Sequence, residues 1–234
     1  MTETALVVGA GPGLGRALAL CFAGAGMGVA VAARDKARLK PLAGDLADQG
    51  VPARAYACDA ARERDVGSLF QKVADDLGGP DLVVFNAGAF VRKGIIETTS
   101  EEFERCWRVG CLGGFHVGQA AARLMAAGGR GTIVFTGATA SLRGGSGFHN
   151  LAVPKFGLRA LAQSMARELG PKGIHVAHVI VDGQIMSEAH DPSSRPPDGF
   201  LDPAAIAANY LMIHRQQRSA WTQELDLRPW VEKF

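Results

Sequence analysis

The chain has 234 residues, 47% of them hydrophobic and 21% charged, with a formal net charge of +2. This is enough apolar material for one well-covered α/β domain. The balanced charge gives no reason to expect nucleic acid or an anionic membrane as partner, and no apolar run approaches the about 20 residues that span a bilayer.

Short apolar runs at 5–8, 29–33, 53–57, 82–85, 133–135 and 176–181 read as strands. They are nearly continuously apolar rather than alternating, which suits parallel strands covered on both faces. Helical patterns lie between them near 14–25, 36–49, 63–77, 100–127 and 155–169. This alternation predicts a single domain over 1–234 with a doubly wound parallel sheet of the Rossmann type. The stretch from Asp191 to Gly199 is rich in turn formers and predicts a surface loop. Asp202 then reads as the N-cap of a helix starting at Pro203, and a last strand near 221–227 closes the sheet edge.

The first strand runs into Gly9-Ala10-Gly11-Pro12-Gly13-Leu14-Gly15, and a helix follows directly. Glycine allows the sharp turn and the close approach of a pyrophosphate, and the helix start offers its N–H groups to the anion. Arg34 follows the second strand, where an arginine accommodates a ribose 2′-phosphate, whereas an acidic residue there holds the free ribose hydroxyls. Asp35, one place later, reads as the cap of the next helix. The expected cofactor is therefore NADP(H) in preference to NAD(H).

The spacing Gly9-x-x-x-Gly13-x-Gly15, the strand ends Cys58-Asp59-Ala60 and Asn86-Ala87-Gly88, and the run Leu151-Ala152-Val153-Pro154-Lys155 resemble the short-chain dehydrogenase/reductase family. The resemblance implies a cofactor site made by Gly9, Gly13, Leu14, Gly15, Arg34, Asp59, Ala60, Asn86, Ala87, Gly88 and Lys155. It also implies a variable substrate loop or lid near 186–203, a small-molecule substrate, and a homodimer or homotetramer.

The family's catalytic set is a tyrosine four residues before a lysine, a serine at the end of the preceding strand, and an asparagine in the central helix. Only the lysine, Lys155, remains, and it is the one catalytic residue the resemblance supports. The tyrosine place is Leu151, the serine place Ala138 and the asparagine place Gly110. The chain has only two tyrosines, Tyr56 and Tyr210; Tyr56 belongs to the third strand and Tyr210 to the C-terminal helix. Relatives that reduce enoyl groups place a tyrosine seven residues before the lysine, where this chain has Phe148. Substitute groups are His149, read as lying just ahead of the active-site helix, and Thr139, whose side chain is expected to point away. His175 and His178 read as structural. No metal-ligand spacing is present.

Two functions follow. One is an oxidoreductase acting on a carbonyl, alcohol or enone with a non-standard proton donor; the other is a cofactor-binding protein without turnover, a sensor or a silent subunit. Met1-Thr2-Glu3-Thr4 lacks the basic start and apolar run of a signal peptide. Cys21, Cys58, Cys106 and Cys111 show no Cys-x-x-Cys spacing. A cytoplasmic protein with reduced thiols is expected.

Overall fold

In the computed structural model, which describes residues 2–232, seven strands form one parallel sheet. In chain order they are β1 (Thr4–Val8), β2 (Gly28–Ala33), β3 (Ala53–Ala57), β4 (Leu82–Phe85), β5 (Gly131–Thr136), β6 (Ile174–Val181) and β7 (Glu224–Leu227), arranged β3-β2-β1-β4-β5-β6-β7. Helices α1 (Leu14–Gly24), α2 (Lys40–Ala47), α3 (Glu63–Leu77), α4 (Ser100–Trp107), α5 (Gly113–Gly128), α6 (His149–Leu169) and α7 (Pro203–Arg215) make the crossovers. The single doubly wound domain matches the expectation.

The central strands are buried throughout because each feeds two cores. Ala5 and Val7 of β1 point into the layer of α1, α2 and α7, whereas Leu6 and Val8 point into the layer of α3, α5 and α6. The strand order reverses between β1 and β4, which opens a crevice at the carboxyl ends of those strands, where α/β sheets bind ligands.

Three helix boundaries differ from the periodicity. The 36–49 stretch opens as a 3-10 turn, Lys36–Leu39, and becomes α2 only at Lys40, with Pro41 in its first turn. Asp35 caps that 3-10 turn, accepting from Ala37 N at 2.9 Å. The 100–127 stretch is two helices joined by a π turn, Arg108–Leu112.

The active-site helix begins at His149, six residues before the predicted start. Proline disfavours a helix interior because it lacks an N–H and crowds the preceding turn. Here Pro154 lies inside α6, and tertiary contacts hold its first turn: Asn150 Nδ2 donates to Val91 O at 3.0 Å.

Asp202 caps α7 as expected, accepting from Ala204 N at 2.9 Å. The last strand is shorter than predicted and is preceded by a 3-10 turn, Arg218–Ala220. Among the described residues, no helix is long and apolar enough to cross a membrane.

Candidate active site

The glycine turn is built by close packing. Gly9 has φ +94°, and a Cβ there would lie 2.4 Å from Ala87 N, so β1 and β4 can converge only on glycine. Asn86 Nδ2 donates to Gly9 O at 3.0 Å and locks the turn from the β4 side. Gly13 is the N-cap of α1 and no side chain caps that end, which leaves the helix N-terminus to an outside anion. The Leu14 side chain is buried in the core, so only its backbone faces the turn.

A cavity of about 230 Å³ over this turn is lined by Gly9, Arg34, Asp59, Ala60, Asn86, Ala87 and Gly88. The fold thus brings together most of the residues that the motifs singled out. Beside it lies a cavity of about 440 Å³ that shares Arg34 and Asp59 and adds Arg62, Arg105 and Arg108.

Arg62 lies 3.5 Å from Asp59, and Arg108 pairs with Glu104 at 2.8 Å. Among the described residues, Arg34 and Arg105 make no ion pair. No motif announces the three added arginines, because they come from the start of α3, from α4 and from the π turn. Cys58 beside them is a free thiol whose pKa is pushed up to about 12 by burial, with Asp65 and Asp59 adding to the shift.

At the carboxyl end of β5, the strand next to β4, Lys155 is 7% exposed, and its Nζ donates to Thr136 O at 2.6 Å. Burial pulls its pKa down to about 8. Leu151 lies one helical turn earlier on α6. Gly110 packs against the same helix, where an added Cβ would lie 3.0 Å from Pro154 Cβ. Ala138 is extended, and its N–H donates to Ser141 Oγ at 3.1 Å.

Sequence reasoning treated His178 as a structural residue and did not foresee its network. Its Nε2 lies 3.4 Å from Ser141 Oγ, and its Nδ1 is 3.3 Å from Glu224 Oε2, within ion-pair range but without hydrogen-bond alignment. Arg159 grips Glu224 with two bonds of 2.6 Å. Burial holds the fully enclosed His178 well below the usual imidazole range, so the ring is neutral. Gly137 makes room for that ring: a Cβ there would lie 2.5 Å from His178 Nε2.

The other candidate donors are committed elsewhere. Thr139 points to the end of β6 and donates to Asp182 Oδ1 at 2.5 Å. His149 is the first residue of α6 rather than a residue ahead of it. Its Nε2 lies 2.8 Å from Thr98 Oγ1, whose own proton goes to Gly94 O, so the ring donates and ties down the 94–98 loop.

Tyr210 lies across the sheet in the α1–α7 layer, fully buried, with its hydroxyl on Thr136 Oγ1 at 2.9 Å. Tyr56 is bonded to Asp76 at 2.7 Å, and Phe148 stacks on Phe90. His175 stacks on Trp221 and bonds Thr222 O at 2.8 Å, as a structural residue would.

Residues 3–194 match the sequence model of the short chain dehydrogenases. The short-chain dehydrogenase from Rhodopseudomonas palustris superposes with a TM-score of 0.85 at 42% identity, over 97% of this chain and 99% of that one. The alcohol dehydrogenase from the archaeon Thermococcus sibiricus, complexed with 5-hydroxy-NADP, gives 0.90 at 26% identity over 100% and 99%. An NAD+-bound xylitol dehydrogenase gives 0.88 at 25% identity over 96% and 97%. Among curated relatives, the 3-oxoacyl-(acyl-carrier-protein) reductase of Homo sapiens is 32% identical over 157 residues, 67% of this chain and 64% of that protein. A short-chain dehydrogenase/reductase of Armillaria gallica is 33% identical over 134 residues, 57% of this chain and 51% of its own length. The chain therefore spans between half and two thirds of the length of these curated relatives.

Proposed function

This chain belongs to the short-chain dehydrogenase/reductase family, and from that premise we propose that it is an atypical oxidoreductase. It binds NADP(H) in preference to NAD(H) and acts on a carbonyl, alcohol or enone without a tyrosine acid. The observation that carries the cofactor reading is the position of Arg34, shared by the cavity over the glycine turn and the arginine-rimmed cavity beside it. A phosphate on the ribose would meet Arg34 with Arg62, Arg105 and Arg108 around it. The acidic alternative is spent, because Asp35 caps the Lys36–Leu39 turn.

When bound, the dinucleotide supplies or accepts hydride. Gly9 and the uncapped start of α1 would receive its pyrophosphate, Asp59 and Ala60 would border its adenine end, and Asn86, Ala87 and Gly88 would wall the crevice beside it. The 186–203 segment acts as a lid: Met186 to Ala189 face Pro12, Gly13 and Arg16 across a cavity of about 830 Å³. Phe115 and Leu124 of α5 and Val153 and Phe156 of α6, all about two-fifths exposed, support assembly as a homodimer or homotetramer.

A second reading, a cofactor-binding protein without turnover, rests on Leu151, Ala138 and Gly110. Losing a positioned general acid removes about 10²–10⁴ in rate. The paired change Leu151→Tyr with Ala138→Ser separates the two. Carbonyl reduction that appears only in that variant supports the silent reading, and turnover by the parent refutes it.

The first test is titration with NADPH and NADH, followed by nucleotide fluorescence and thermal stabilisation. A charge-assisted hydrogen bond contributes about 1.5–3 kcal/mol, so NADPH should bind about tenfold to a hundredfold more tightly. Tighter NADH binding overturns the preference, and no binding of either at millimolar concentration overturns the whole reading.

A further inference from the structure

We infer that Lys155 itself is the proton donor of this active site, its ammonium delivering the proton to the substrate oxygen directly. The inference rests on the oxidoreductase reading above and assigns its missing acid. Three observations carry it.

The first is an incompletely used donor in a nearly closed place. An ammonium has three N–H donors, and a buried polar group normally satisfies them. Among the described residues, the hydrogen bond that Lys155 Nζ makes is to Thr136 O, and the side chain is 7% exposed. Two donors remain for groups from outside the chain.

The second is the clearing around it. Leu151 one turn earlier, Ala138 two residues beyond Thr136, and Gly110 against Pro154 carry no hydroxyl or amide that could take the role.

The third is that the neighbouring titratable groups are withdrawn from the role. From β6, His178 is buried neutral; from β7, Glu224 is held by Arg159 of α6 itself; Asp182, at the end of β6, accepts from Thr139 and lies 3.7 Å from Arg228. Tyr210 reaches only the Thr136 hydroxyl, from the opposite layer. No carboxylate pairs with Lys155 among the described residues. Its charge is therefore governed by burial, which brings its pKa to about 8, close to working pH, as a general acid requires.

In reduction, hydride from a reduced nicotinamide dinucleotide adds to the carbonyl carbon. The π pair of the carbonyl becomes the new O–H bond with a proton from Lys155 Nζ. The carbonyl is reduced, the dinucleotide is oxidised, and Lys155 is left as a neutral amine that regains its proton from solvent. Oxidation of the alcohol runs the same steps backwards, with the neutral amine as base.

The test uses the full chain labelled with 15N at lysine Nζ, with and without NADP+. One lysine should titrate near pH 8, and its signal should vanish in Lys155→Arg; titration of every lysine near the ordinary value overturns the inference. NADPH affinity and single-turnover reduction of an α-diketone, 9,10-phenanthrenequinone, are then compared in the parent and two variants.

Lys155→Arg keeps the charge but does not release a proton. Its NADPH affinity should stay within about fivefold while its hydride step slows about 10²–10⁴-fold. Lys155→Met should lose both. The parent's rate of reduction should fall as pH rises through the lysine pKa. A Lys155→Arg rate within threefold of the parent, or a flat pH profile, overturns the inference while leaving the oxidoreductase reading intact. NADPH binding by the parent without turnover overturns it in favour of the silent reading, and no NADPH or NADH binding overturns the reading beneath it as well.

Discussion

The two ends of the crevice are built on opposite principles. At the β1–β4 end the ligand-facing surface is largely backbone: Gly9 and Ala87 approach one another closely and Asn86 locks the turn. At the β5–β6 end polar side chains gather instead: Lys155, the neutral His178, and the Glu224–Arg159 pair. A surface made of backbone tolerates almost no change, because a single Cβ fills it. One made of side chains can trade groups as long as the buried polar atoms find partners.

The largest expected effect breaks the first end. Gly9→Ala adds a Cβ 2.4 Å from Ala87 N at a φ of +94°. Strain and overpacking together should cost about 3 kcal/mol in a urea titration and abolish saturable NADPH binding.

Gly137→Ala probes the second end. Its Cβ would strike the His178 ring, which is fully buried and has nowhere to go. A cost of about 2 kcal/mol is expected, partly recovered when His178→Ala is added, and the coupling should read about 1 kcal/mol or more in a double-mutant cycle.

Arg34→Ser sharpens the contrast from the ligand side. NADPH affinity should fall about tenfold to a hundredfold and NADH affinity should barely move, checked by fluorescence titration.

The pH dependence of stability isolates the buried histidines. Burial holds His178, His175 and His214 below the ordinary 6.5. The unfolded chain therefore binds their protons more readily, so stability is full above about pH 6.5 and falls as pH drops toward the folded values. Each such proton contributes up to about 1.4 kcal/mol per pH unit. His178→Gln should reduce the slope between pH 6.5 and 5 in chemical denaturation by up to one proton's share. The Arg159 guanidinium holds the Glu224 carboxyl below the usual carboxylate range, and so it leaves that window clear.

The smallest effect is at His149. Loss of its bond to Thr98 in His149→Ala should cost about 1 kcal/mol and leave the hydride step within a few-fold. A collapse of the hydride rate in that variant would instead make His149 the proton donor.

The glycine turn, Arg34, Asn86 and Lys155 were legible because each belongs to a local pattern at a strand end. The first turn of α6 was not, because Pro154 signals a start and the tertiary bonds of His149 to Thr98 and of Asn150 to Val91 O override it. The arginine rim was not legible either, since Arg62, Arg105 and Arg108 lie on different elements. His178 carried no readable role: its partners Ser141 and Glu224 stand 37 residues before it and 46 after it.

By itself, the sequence determined the strand–helix alternation, the parallel sheet and the glycine turn, because these depend on period and local spacing. Tertiary structure alone decided which polar groups are spent and which are free. It placed Thr139 on Asp182, His149 on Thr98 and Tyr210 behind the sheet, and it left Lys155 with donors to offer. Hydrogen bonds and burial join residues far apart in the chain, so what a side chain can still do is settled only when its neighbours are in place.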